Sequence, residues 1–307
     1  LCETEPLVAI VYEFSEGATS ATVSGLPAGV IFTIVGNDLT ISGTPSAAIS
    51  TSQFYPYTVT TVGTCESAIL NGTITVDPEA IIDLTLGSND AQVICENTPI
   101  IDITYDLVDG ATGATVTGLP AGVSLNVASN IATISGTPSA GITTQTVYSY
   151  TITTTGSPCN SSVTGSITVD PDDAIALTSA AGTESQVLCE TEPLVAIVYE
   201  FSEGATSATV SGLPAGVIFT IVGNDLTISG TPSAAISTSQ FYPYTVTTVG
   251  TCESAILNGT ITVDPEAIID LTLGSNDAQV ICENTPIIDI TYDLVDGATG
   301  ATVTGLP

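Results

Sequence analysis

The chain has 307 residues, 32 of them acidic, and no Lys, Arg, His, Met or Trp, so its formal net charge is −32. Without cations it cannot neutralise phosphates, which excludes nucleic-acid binding and attraction to anionic lipid headgroups. Without imidazole or lysine it holds no Ser-His-Asp or Cys-His centre and no phosphate-binding P-loop.

Only 10% of the residues are charged and 43% are hydrophobic, which is a globular rather than a disordered composition. The Val, Ile, Thr, Ser and Gly content is that of strands and turns. No stretch is long and apolar enough to span a bilayer, so direct membrane insertion is not expected.

From the N-terminus, apolar side chains alternate in Val8, Ile10, Tyr12 and Phe14, which predicts a half-buried strand. Leu26–Gly29, Leu-Pro-Ala-Gly, places proline and glycine where a tight turn needs a fixed and then a free φ. A further strand ends at Gly43-Thr-Pro-Ser, the next carries alternating Tyr55 and Tyr57, and Asn71-Gly-Thr-Ile-Thr-Val closes the set. These tyrosines, with Tyr148 and Tyr150 further on, read as core or edge packing rather than a carbohydrate platform. Val76-Asp-Pro78 marks a boundary, because proline removes a ladder donor and stiffens the exit from a strand. The next unit opens with a strand at Ile81–Leu86 and repeats the alternation in Ile101, Ile103, Tyr105 and Leu107, with Asp102, Thr104 and Asp106 facing water.

The units recur. LCETEPLVAIVYEF from Leu1 matches ICENTPIIDITYDL from Ile94, and residues 1–120 return unchanged at 188–307. The short period is 93 or 94 residues, in two alternating types. About seven short strands per unit predict tandem immunoglobulin-like β-sandwiches. The Val-Asp-Pro boundaries divide the chain into a partial domain lacking its first strand at 1–77, full domains at 78–170 and 171–264, and a truncated one at 265–307. Starting at one phase of the unit and stopping inside Gly-Leu-Pro at another, the chain reads as a segment of a longer repetitive protein. With such short linkers the domains are expected end to end, as a rod on the order of 100 Å long.

Seven cysteines are present. Spacing within each unit pairs Cys2 with Cys65, Cys95 with Cys159 and Cys189 with Cys252, and leaves the partner of Cys282 outside the given sequence. Each such bridge closes a loop of 63 or 64 residues, worth roughly 4 kcal/mol in the chain-entropy account, and implies an oxidising, extracellular compartment. A zinc site is disfavoured by the absence of histidine and of closely spaced cysteines. Carboxylates gather at the boundaries, at Asp77, Glu79, Asp170, Asp172, Asp173, Asp264 and Glu266. They are candidates for calcium, weighed against ordinary solvated turns. A paired-carboxylate hydrolase would need a cleft that a small sandwich does not supply, so no enzyme and no cofactor is expected. Asn71, Asn160 and Asn258 lie in glycosylation-type triplets.

Five segments carry a resemblance: SAAGTESQVLC from Ser179, ITYDLVDGATGATVTGLPAGV from Ile103, TISGTPSAG from Thr133, YSYTITTTGSPC from Tyr148 and GSITVDP from Gly165. Together they resemble the repeats of the giant surface adhesins of gliding Bacteroidota, the SprB-type gliding-motility adhesins. The resemblance runs unit by unit over the whole chain. It implies type IX secretion, attachment at the outer membrane surface, and an envelope motor as partner. Contact with an external surface or polysaccharide would be made by regions outside this sequence. It carries over no catalytic residue. The resulting expectation is a stalk that supports attachment and gliding. Its rivals are a static fibre or sheath and a glycan-binding tandem module.

Overall fold

The computed structural model describes residues 1–46, 48–233 and 235–306. Ala47, Ala234 and Pro307 lie outside it. The described residues form strands and turns and no helix. The chain divides into two compact units, Leu1–Gly141 with Thr146–Val169, and Ile142–Gln145 with Asp170–Pro307.

In the first unit, β1 (Ile10–Glu13), β2 (Ala18–Ser24), β3 (Val30–Val35), β4 (Asp38–Gly43), β5 (Gln53–Gly63) and β6 (Ile69–Val76) make two sheets, ordered β1-β4-β3 and β2-β5-β6. They are followed by β7 (Ile81–Leu84), β8 (Ala91–Cys95), β9 (Ile103–Val108), β10 (Gly113–Thr117), β11 (Val123–Ala128), β12 (Ile131–Gly136), β13 (Thr146–Thr155) and β14 (Ser162–Asp170). These form the sheets β7-β9-β12-β11 and β8-β14-β13-β10.

The second unit repeats this plan. It contains β15 (Asp173–Leu177), β16 (Ser185–Cys189), β17 (Ile197–Glu203), β18 (Ala205–Ser211), β19 (Val217–Val222), β20 (Asp225–Gly230), β21 (Gln240–Gly250) and β22 (Ile256–Asp264). The sheets are β15-β17-β20-β19 and β16-β22-β21-β18, the arrangement of an immunoglobulin-like sandwich. β23 (Ala267–Leu271) and β24 (Tyr292–Asp296) pair as a two-stranded sheet.

A full sandwich thus has eight strands where the turn signals suggested about seven. The leading strand is split. β15 pairs antiparallel with β17, the chain turns through Thr178–Glu184, and β16 then joins the other sheet, parallel to β22. Gly182 in that turn has φ +94°, which a side chain would disfavour. A glutamine secures the crossing. The Gln92 side chain accepts the Ile101 N–H at 3.0 Å and donates to the Ile101 carbonyl at 2.7 Å, and Gln186 does the same for Val195. This clip stands in for a ladder pair just before the next strand begins. Val8 and Ile101, expected to face the core, are 87% and 78% exposed, because the inward alternation starts two residues later, at Ile10 and Ile103.

The core lies between the sheets. In the second sandwich Ile103, Tyr105 and Leu107 of β9 meet Tyr150 and Ile152 of β13 and Ile167 and Val169 of β14, all buried. Across it, the Tyr105 and Tyr150 hydroxyls bond each other at 2.9 Å, as do Tyr199 and Tyr244 at 2.9 Å and Tyr12 and Tyr57 at 2.8 Å. The inter-sheet link that antibody domains make with a disulfide is here a tyrosine pair. Glycine makes room for it, since a Cβ on Gly165 would lie 2.3 Å from the Tyr150 hydroxyl. Burial pushes the Tyr57 phenol up to about 12, helped by its bond to Tyr12 and the charge Tyr12 would carry. Burial likewise raises Tyr150 and Tyr244, followed by their bonds to Tyr105 and Tyr199. It raises Tyr105 and Tyr199 as well, although their hydroxyl bonds pull the other way. Tyr57 and Tyr150 belong to the core, while Tyr55 and Tyr148 are half-buried.

Candidate functional site: a disulfide between successive sandwiches

At the end of β6 the backbone of Leu1–Glu3 lies alongside Asp77. The Asp77 N–H donates to the Leu1 carbonyl at 2.9 Å and the Glu3 N–H to the Asp77 carbonyl at 3.0 Å, a parallel bridge centred on Cys2 and Asp77. Cys2 therefore stands where β6 leaves its sandwich. Pro78 follows at once, and two residues later the buried Ala80 donates its N–H to the Cys159 carbonyl at 2.8 Å. The Ser157 hydroxyl donates to the Pro78 carbonyl at 3.2 Å. Ser157 and Cys159 belong to the turn joining β13 to β14 of the next sandwich. The three segments meet in a disulfide between Cys2 and Cys159, with Cα atoms 5.7 Å apart, inside the range such bonds require.

This overturns the pairing expected from spacing. Cys2 is bonded to Cys159 rather than Cys65, so Cys95 cannot hold Cys159. Cys252 is disulfide-bonded while Cys189 is a free thiol, so those two are not paired either. Cys65, Cys189 and Cys282 are exposed thiols, and Cys95 sits in a disulfide. The reason is topological. In the third sandwich Cys189 pairs in register with Asp264 at the last residue of β22, whereas Cys252 lies in the turn before β22 begins at Ile256. The nine residues of β22, at about 3.3 Å each, hold the two cysteines roughly 30 Å apart. A disulfide tolerates no more than about 7 Å between Cα atoms. The two cysteines of one unit stand at opposite poles of the sandwich and cannot meet.

The residue after the cysteine turns the other way. Glu3 accepts the Ile49 N–H at 2.9 Å, Glu96 the Gly141 N–H at 2.6 Å and Glu190 the Ile236 N–H at 3.0 Å. Each carboxylate ties the loop before β5, β13 or β21 to the pole from which the cysteine projects. Sequence reasoning missed these glutamates. The signal was present in the Cys-Glu step recurring at Cys2, Cys95, Cys189 and Cys282.

The boundary carboxylates meet hydroxyl, amide and backbone donors. Asp77 accepts the Ser52 hydroxyl, Asp264 the Ser239 hydroxyl and Asp170 the Gln145 amide at 2.6 Å. Glu79 faces the Thr4 hydroxyl at 3.5 Å and Glu266 accepts the Thr191 hydroxyl at 2.6 Å. Asp172 accepts the Glu253 N–H at 3.2 Å. Among the described residues no three acidic, cysteine or histidine side chains could together hold a metal ion.

Asp173 is different. It is buried, neither carboxylate oxygen has a hydrogen-bond partner, and it packs where a Cβ on Gly250 would lie 1.9 Å from Oδ1. The preceding sandwich has the smaller Ala80 at this place, and a glycine, Gly156, where Gly250 stands.

No family model matches the chain. Over 151 residues, 49% of the chain, it is 35% identical to the "Serine-rich adhesin for platelets" of Staphylococcus aureus strain MRSA252, of which the match covers 11%. The protein of the same name from strain USA300 is 35% identical over 151 residues, covering 6% of its length. The chain thus spans about a tenth or less of these relatives. Among solved structures it resembles the I-band fragment I67–I69 from titin, with a TM-score of 0.52 at 10% identity, over 86% of this chain and 94% of that one. An E-to-A variant of the same three titin domains gives the same values. At that identity the likeness is one of fold, and it is to a tandem of immunoglobulin-like sandwiches.

Proposed function

We propose that this chain is repeat material from the stalk of a cell-surface adhesin, acting by holding an adhesive region away from the cell. The observation that carries the reading is the Cys2–Cys159 bond. A covalent link between successive sandwiches resists separation of neighbours under tension, which a stalk experiences and a free binding module does not. The similarity to staphylococcal adhesins over 49% of the chain supports the same reading, as does a disulfide that requires an oxidising, extracytoplasmic compartment. We extend the proposal, on the resemblance of the repeat motifs, to a SprB-type gliding adhesin exported by type IX secretion and anchored at the outer membrane surface.

The test is live-cell fluorescence with an antibody fragment raised against one sandwich. Labelling of intact cells is expected, with spots that travel along the cell. Fixed surface tufts would retain the stalk and overturn the gliding extension, and labelling only after permeabilisation would overturn both.

A further inference from the structure

We propose that the free edge strand of the first and third sandwiches, β3 and β19, is a docking surface for the same strand of a second copy of this chain, joined antiparallel. Both strands read Val-Ile-Phe-Thr-Ile-Val, and each ends its sheet, paired on one side only. The inward residues of β3 belong to the core, where Val30 is buried and Phe32 and Ile34 pack against it. The outward residues are Ile31, Thr33 and Val35, and Ile31 and Val35 are 60% and 78% exposed. Ile218 and Val222 of β19 are exposed in the same way. The equivalent strand of the second sandwich, β11, keeps Val123, Leu125 and Val127 inward but presents Ser124, Asn126 and Ala128 outward. The sandwich therefore folds without an apolar outer row, so Ile31 and Val35 are not there to pack their own domain. Exposed edges are ordinarily blunted by charge, proline or a bulge. The edge strands β2 and β18 of the opposite sheets carry a register shift, at Ala18/Ser20 and Ala205/Ser207. β3 and β19 run six residues in unbroken register, with neither charge nor proline.

The occupant follows from the pairing this strand can make with itself. The turn Gly36-Asn37 is two residues long, so Val35 and Asp38 form the first hydrogen-bonded pair of the β3–β4 hairpin. Alternation then points the N–H and C=O of Phe32 and Ile34 away from β4, and among the described residues these groups have no other backbone partner. An antiparallel copy centred on Thr33 sets Phe32 opposite Ile34 of the second copy, and Ile34 opposite its Phe32, which satisfies all of them. On the outer face Ile31 falls opposite Val35 of the second copy and Thr33 opposite Thr33, apolar and Thr–Thr pairs of the kind that stabilise sheets. Charge points the same way. The chain has acids and no cations, so two copies can touch only where carboxylates are absent, and residues 17–37 and 204–224 contain none. The pairing goes beyond the stalk reading, which holds whether copies pair or not, and adds a means of bundling chains side by side.

The test is sedimentation velocity of the full oxidised chain over a concentration series. The exposed thiols Cys65, Cys189 and Cys282 are first capped with iodoacetamide, so that disulfide exchange cannot join copies. At about 0.01 M salt the Debye length is about 30 Å, and the charge of −32 is expected to hold the chain at monomer mass. At about 1 M salt the Debye length is about 3 Å, and species at double the monomer mass or higher multiples are expected. A variant gives both strands the outward residues of β11: Ile31→Ser, Thr33→Asn and Val35→Ala, with Ile218→Ser, Thr220→Asn and Val222→Ala. It is expected to stay at monomer mass at both salt concentrations, with an unchanged circular dichroism spectrum, since the second sandwich folds with those residues. Amide exchange in the unsubstituted chain needs no variant to fold. At high salt and high protein concentration, exchange at Phe32, Ile34, Phe219 and Ile221 is expected to slow about tenfold, with β11 unchanged. A chain that stays monomeric at about 1 M salt overturns the proposal. So does a variant that associates as the parent does, or protection that appears equally at β11.

Discussion

Cys2 and Glu3 are adjacent and face opposite ways, one joined to the next sandwich and the other holding a loop of its own. That division is available because successive side chains of an extended segment point to opposite sides. With its cysteines placed at the poles, the core is pinned by paired tyrosines, and this has a consequence at high pH. The folded Tyr57 phenol is raised to about 12, above the unfolded value of about 10. Its contribution to stability is complete below about pH 10 and is lost as pH rises from there toward about 12, because the unfolded chain releases the proton first. Tyr150 and Tyr244 shift in the same direction. Urea unfolding midpoints are therefore expected to be flat from pH 7 to 9 and to fall steeply above pH 10. A variant carrying Tyr57→Phe, Tyr150→Phe and Tyr244→Phe should lose much of that slope.

Among the elements, the split leading strand decides most. Its first half extends one sheet and its second half the other, so it stitches both sheets together at the edge. The glutamine clip is what lets the chain cross, since Gln92 satisfies both backbone groups of Ile101. Gln92 is buried, and Gln92→Leu would leave those groups without partners in a partly enclosed site. The expected cost is about 1–3 kcal/mol, read as a lower urea midpoint, with amide exchange accelerated first at β8. Because β8 carries Cys95 at its end, loosening it should also slow formation of that cysteine's disulfide during oxidative refolding.

For the whole molecule, tension gives the clearest expectation. The disulfide carries the covalent path straight from Cys2 to Cys159, so the 157 residues of separation between them are shielded from tension while it is intact. Fully extended, a stretch of that length would reach about 530 Å after reduction. Single-molecule pulling of the oxidised chain is expected to show no gain in length from residues between Cys2 and Cys159. That length should return after reduction. Its release in the oxidised protein would contradict this. The uncompensated charge of −32 adds a separate, salt-dependent stiffening through self-repulsion.

The sequence by itself determined the repeat, the β-sandwich class and the tyrosine positions. Period-two alternation is a local property, and each strand declares its buried face through its own residues. It also marked the poles, through Val-Asp-Pro steps that end a strand wherever they occur. It could not decide which cysteines meet. Spacing along the chain favoured partners 63 or 64 residues apart, while the true partner of Cys2 is 157 residues away. Only the tertiary structure decided this, because a parallel strand carries its final residue to one pole and the turn cysteine of the same unit stays at the other. Nor could it separate boundary carboxylates that take a hydroxyl or amide donor from ligands for a metal, since that depends on which side chains the fold brings within reach.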